Sequence, residues 1–121
     1  GLRVVDNTGD AGRFGTKLLT EFGADVVRVA TTGSSGSELN LPAGACGGVL
    51  DWWYDGGKRS LPLDLTVNAD RATYRRLAAS ADLIIETESP GVLAEHGVDH
   101  RDLLVDNPSL AQVSISPFGR L

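Results

Sequence analysis

The apolar and polar positions of this chain switch between two rhythms. Leu2-Arg3-Val4-Val5-Asp6-Asn7 is a short β-branched run and predicts a buried strand. Phe14, Leu18, Leu19 and Phe22 then recur at helical spacing, and Gly23 predicts the helix end. Residues 24–30 return to β-branched side chains and predict a second strand. Strand, helix and strand in so short a span make a βαβ unit, which requires parallel strands.

Between Thr31 and Gly48 the rhythm vanishes, and Gly, Ser, Thr, Ala and Pro dominate. A long flexible loop is expected there, set at residues 32–50. Residues 49–54 restore apolar and aromatic side chains, with core packing the default for Trp52, Trp53 and Tyr54. Residues 60–65 predict an extended segment, and Pro62 places it at a sheet edge because it lacks a ladder donor. Asn68 predicts an N-cap, with Tyr74, Leu77, Ala78 and Ala81 on one helix face. Leu83-Ile84-Ile85 predicts a strand, residues 92–96 and 101–105 two short helices, and residues 110–115 a last strand. The alternation gives an α/β, Rossmann-like fold: a mainly parallel sheet with flanking helices, incomplete as a domain.

Composition narrows the classes. At 121 residues the chain is one domain or part of one, and the absence of methionine points to a piece of a longer protein. The net charge of -5 argues against nucleic acid, which wants clustered Lys and Arg. No run approaches the ~20 apolar residues of a membrane span. A single cysteine, Cys46, excludes an internal disulfide and fits a cytoplasmic setting. His96 and His100 stand four apart, but with no third ligand near, no metal is expected.

Three places could carry chemistry. The first βα turn holds Gly9, Gly12 and Gly15 between a strand and a helix, where small residues let an anion approach free backbone N–H groups. The same glycines also read, and more readily, as a tight turn with close helix packing. A nicotinamide-dinucleotide site would want an acidic residue at the end of the second strand, where Ala30, Thr31 and Thr32 stand. Lys58 and Arg59 are adjacent cations suited to phosphates, or else a solvated surface pair. Residues 85–91 close a strand at the carboxyl edge, where open α/β sheets bind ligands.

Taken in order, several runs carry a likeness. They are Gly1-Leu2-Arg3-Val4-Val5-Asp6, Ala11-Gly12 and Phe22-Gly23-Ala24-Asp25-Val26-Val27-Arg28-Val29. Further along come Lys58-Arg59-Ser60-Leu61-Pro62-Leu63-Asp64-Leu65 and Ala81-Asp82-Leu83-Ile84-Ile85-Glu86. Ser89-Pro90-Gly91-Val92-Leu93, Asn107-Pro108-Ser109-Leu110 and Val113-Ser114-Ile115-Ser116-Pro117-Phe118-Gly119 complete the set. The set resembles the N-terminal part of family III CoA-transferases, a group that includes carnitine-CoA transferases, formyl-CoA transferase and acyl-CoA racemases.

The resemblance implies that residues 1–121 are the N-terminal part of such a domain, whose parent moves CoA between carboxylic acids or racemises an acyl-CoA. It implies CoA or acyl-CoA as ligand and an interlocked homodimer as assembly, with the remainder of the chain as a further partner. It implies cofactor contacts at Asp10 and Ala11, at Lys58, Arg59, Leu63 and Asp64, and at Thr87, Glu88 and Ser89. The family's aspartate nucleophile, which passes through an anhydride and a thioester, would lie beyond Leu121. No residue of this chain inherits a catalytic role; Asp6, Asp64 and Asp82 read as strand-end or turn residues.

The chain departs from the family pattern in charge. Relatives show Glu-Asn-Phe-(Arg or His)-Pro-Gly where this chain has Glu86-Thr87-Glu88-Ser89-Pro90-Gly91. Ala30 and Thr31 replace Glu-Arg, and Glu95 replaces an arginine. Each misplaced charge costs on the order of one to a few kcal/mol at an effective dielectric of ~20. Two alternatives therefore stand beside the CoA pocket: a degenerate, non-catalytic assembly domain of a tandem protein, and an NAD(P)-binding Rossmann module.

Overall fold

A computed structural model describes residues 1–9, 11–29, 53–117 and 119. The expected loop at 32–50, together with Asp10, Ala30, Cys46 and Trp52, lies outside the described residues.

The chain order is β1 (Arg3–Asn7), α1 (Arg13–Glu21), β2 (Asp25–Arg28), β3 (Arg59–Ser60), α2 (Asn68–Ala79), β4 (Leu83–Glu86), α3 (Val92–Glu95), α4 (His100–Leu103) and β5 (Ala111–Ser114). Among the described residues the strands form one five-stranded sheet, ordered β3-β2-β1-β4-β5. Every pairing is parallel. Val4, Val5, Val26, Ile84 and Ile85 are buried, as the β-branched runs require of a sheet covered on both faces. β3 is the edge expected beside Pro62; it is only two residues long.

The two-residue alternation of a strand decides which helix covers which face. Val5 and Ile84 point into a core with Tyr74 and Ala78 of α2, Leu93 of α3 and Leu103 of α4. Asp6, the next residue along β1, points the opposite way and meets Thr16 of α1. Helices α2, α3 and α4 thus cover one face, and α1 the other. No described helix is long and apolar enough to cross a membrane.

Local chemistry sets the helix ends. Gly23 adopts a positive φ of 97° after α1; its N–H bonds Thr20 O at 3.0 Å and the Ala24 N–H bonds Leu19 O at 3.0 Å. That double bond closes the last turn and needs a residue without Cβ strain. α2 starts one residue earlier than the sequence implied. Val67, not Asn68, takes the extended N-cap conformation, and Asp70 in the first turn accepts the Asp64 N–H at 2.9 Å. Asn107 closes the other end, donating to the carbonyls of Ala78 and Ala81 at 3.0 and 2.8 Å. α4 carries a reciprocal cap between Asp99 and Asp102.

Candidate functional site

The strand order reverses at β1. The chain winds from β1 to β2 and β3 on one side, then returns to place β4 and β5 on the other. The crevice beyond the carboxyl ends of β1 and β4 is thus the topological switch point, where open α/β sheets take ligands. Two segments meet there. The turn after β1 holds Thr8, Gly9, Ala11 and Gly12, and the loop after β4 runs from Thr87 to Gly91.

They are joined directly. The Gly9 N–H donates to Thr87 Oγ1 at 2.7 Å, and the Thr87 N–H donates to Asn7 O at 3.2 Å. Gly12 must be small: a Cβ there would stand 2.6 Å from Thr8 Cγ2 and 3.3 Å from Thr87 Cγ2. Ala11 is exposed at the lip of the turn, and Ser89 is exposed at the tip of the opposite loop. The Glu88 N–H folds back onto Glu86 Oε2 at 2.7 Å, and the Glu86 carboxylate is buried. Ala11 and the Thr87–Ser89 segment, nominated from widely separated parts of the sequence, thus lie on two segments that meet at the carboxyl edge of β1 and β4.

Beneath the turn sits a cluster of charge that the sequence does not reveal. Asp6 is fully buried at the end of β1. Its Oδ1 accepts the Thr8 N–H at 3.1 Å and the Thr8 hydroxyl at 2.5 Å. Its Oδ2 accepts the Thr16 hydroxyl and the Lys58 ammonium, each at 2.8 Å. Lys58 gives its other two protons to Thr16 Oγ1 at 2.8 Å and Asp55 Oδ1 at 3.2 Å, and its side chain is 1% exposed. All three ammonium donors are therefore occupied. Arg28 lies 3.6 Å from Asp6 Oδ1 and donates to Thr8 O at 2.9 Å. Arg28 and Arg13 both reach Asp55 Oδ2, at 3.4 and 3.1 Å. Among the described residues, Lys58, Arg28 and Arg13 thus meet the two carboxylates of Asp6 and Asp55. Lys17 lies apart from this cluster: it pairs with Glu21 and covers the Trp53 ring.

The other nominated residues lie elsewhere. Arg59 pairs with Asp25 at the amino end of β2, and both line a cleft of ≈ 240 Å³ with Arg3 and Leu77 at the edge opposite the crevice. Leu63 is buried with Val29 and Leu65 in the core under α2. Asp64 holds a turn: its Oδ1 accepts the Thr66 N–H and hydroxyl at 2.9 and 2.6 Å. Asp82 Oδ2 takes the Arg3 N–H at 2.8 Å. The strand-end and turn readings of these aspartates agree with these bonds, and Asp6 adds a role as a hub. His100 Nε2 meets Leu110 O at 2.8 Å, so its ring braces the start of β5.

Trp53 is not a core residue. It is half exposed, stacks on Phe14 of α1 with ring centroids 6.2 Å apart, and meets Tyr54 edge-on at 4.9 Å. Arg13 lies over the Tyr54 ring at 4.9 Å. Residues 53–58 are thereby fastened along α1 and deliver Lys58 to Asp6. The spacing Asp6-x-Thr8 was the one local signal for the hub, since Asp and Thr at that interval bond back to the backbone. Nothing in the sequence couples position 6 to position 58. Deep in the other face, burial pushes the Tyr74 hydroxyl well above its ordinary pKa; Asn7 acts against this, and Glu86, Glu88 and Asp99 reinforce it.

The comparisons with known proteins agree with this architecture. The sequence model of CoA-transferase family III matches residues 1–121. Succinyl-CoA:(R)-benzylsuccinate CoA-transferase subunit BbsE of Thauera aromatica is 35% identical over 98% of this chain and 30% of its own length. Alpha-methylacyl-CoA racemase of Mus musculus is 36% identical over 99% of this chain and 28% of its own. Among solved structures, a mutant of Rv3272 from Mycobacterium tuberculosis superposes with a TM-score of 0.81 at 30% identity, covering 98% of this chain and 33% of that one. A CAIB/BAIF family protein of Brucella suis gives 0.78 at 31% identity, over 94% and 32%. The chain spans about a third of the length of these relatives. They favour neither the dinucleotide module nor the bare assembly domain. An all-parallel α/β sheet and a match along its whole length place this chain in CoA-transferase family III.

Proposed function

We propose that this chain supplies one wall of a CoA-thioester site at the β1/β4 crevice. In this reading the protein that carries it transfers CoA between carboxylic acids or acts on an acyl-CoA as a racemase. The observation that carries the reading is the contact between Gly9, Gly12 and Thr87 at the switch point. Ala11 and Ser89 then border the ligand, with Thr87 joining the two sides and Glu88 behind them. The Arg28 guanidinium, bonded to Thr8 O beneath the turn, supplies positive potential for the phosphates. The Glu88 N–H turns inward to Glu86. The named substrates of the relatives, succinyl-CoA among them, support a CoA thioester over a nicotinamide dinucleotide.

Calorimetric titration of the full-length gene product with CoA tests this. Saturable binding is expected, and Ala11→Glu, which places bulk and negative charge at the lip of the turn, should weaken it by about tenfold or more. Saturable binding of NAD without CoA, or CoA binding indifferent to Ala11→Glu, would overturn the assignment.

A further inference from the structure

Lys58 looks from the sequence like a phosphate ligand, but its surroundings give it different work. We infer that Lys58 is a positioning residue, which acts on the ligand-facing turn through Asp6 and Thr8. This inference rests on the CoA reading of the crevice.

The geometry runs in a continuous line. Lys58 Nζ spends its three protons on Asp6, Thr16 and Asp55, so none remains for a phosphate oxygen. Asp6 Oδ2 is held by Lys58 and Thr16, which orients the carboxylate so that Oδ1 faces Thr8. Oδ1 then takes both the N–H and the hydroxyl of Thr8. Arg28 takes the Thr8 carbonyl from the other side at 2.9 Å. With backbone and hydroxyl both fixed, the Thr8 methyl is set where a Cβ on Gly12 would collide with it. The turn that presents Ala11, and whose Gly9 N–H is bonded to Thr87 Oγ1, is thereby given one shape before a ligand arrives. Pre-organisation of this kind raises affinity by removing the ordering cost from the binding step.

A ligand contact and a positioning contact differ in how they couple. If Lys58 acts only through Asp6 and Thr8, removing Thr8's hydroxyl takes away the same benefit, and the two losses do not multiply. If Lys58 touches the ligand independently, they multiply.

The test is a double-mutant cycle on the full-length gene product: wild type, Lys58→Met, Thr8→Val and the double variant, each titrated with CoA and each checked for folding by circular dichroism. Both single variants should weaken CoA about tenfold, and the double variant no more than the weaker single. Multiplying losses would overturn the inference in favour of direct contact. Folded variants that bind CoA like the wild type would overturn it too, leaving Lys58 a stabiliser alone. If Lys58→Met does not fold, Thr16→Val, which removes the other hydrogen bond to Oδ2, takes its place in the cycle and is judged by the same outcomes. A wild-type protein that shows no saturable CoA binding removes the CoA reading itself, and this inference with it.

Discussion

Thr87 and Gly9, far apart in sequence, are joined by a 2.7 Å hydrogen bond from the Gly9 N–H to the Thr87 hydroxyl oxygen. It ties the end of β4 to the turn after β1 across the point where the sheet reverses. The bond is part-buried, and an N–H left there without its acceptor costs more than an average hydrogen bond returns. Thr87→Val keeps the shape and removes the acceptor. It should lower stability by about 1–2 kcal/mol in urea unfolding, without changing the slope of the transition.

Gly12 is packed, not strained: it sits at φ −113°. The constraint is space, since a methyl group would meet Thr8 Cγ2 at 2.6 Å and Thr8 Cβ at 2.9 Å. Because Thr8 is pinned by Asp6, it cannot retreat. Gly12→Ala should cost about 1–3 kcal/mol, read from the urea midpoint. An unchanged midpoint would mean that the turn moves freely.

Lys58 and Arg59 are neighbours with opposite expectations. Lys58→Met leaves the fully buried Asp6 without its ammonium, and breaking a buried pair costs about 3–5 kcal/mol. Arg59→Ala breaks a solvent-exposed pair with Asp25, worth about 0–1 kcal/mol. Thermal unfolding of the two variants side by side checks the contrast. Added salt should erase what little Arg59 contributes and leave the Lys58 effect in place.

Tyr74 sets an alkaline limit. Its folded pKa is raised, burial being the main cause, while the unfolded side chain titrates near ~10. Below that pH the hydroxyl is neutral in both states, and stability does not depend on it. Above it the unfolded chain releases the proton while the folded chain keeps it, so stability falls as pH rises toward the folded pKa. Tyr74→Phe should flatten this decline between pH ~10 and ~11 relative to the wild type. Parallel curves for the two proteins would count against it.

Much of the scaffold was legible because it is written in short-range pattern. The β-branched runs at Val4-Val5, Val26-Val27 and Ile84-Ile85 could bury themselves only as parallel strands, and Gly23 could only end a helix. Boundaries were less secure. Asn68 has the side chain of an N-cap, yet Val67 takes that place because Asp70 meets the chain from inside the first turn. Trp53 has a core residue's chemistry but lies on Phe14 at the surface of α1.

The alternation of the chain was enough, by itself, to determine an α/β layer structure and to put Ala11 and Thr87 at strand ends, since periodicity and turn chemistry act over a few residues. The partners of Lys58 and Arg59 were decided only in three dimensions. Adjacent residues on an extended chain point to opposite sides, so one ammonium was carried into a buried carboxylate and its neighbour out to the far edge. Whether a cation is spent inside the protein or offered to a ligand depends on which distant carboxylate the fold brings within 3 Å, and no local pattern encodes that distance.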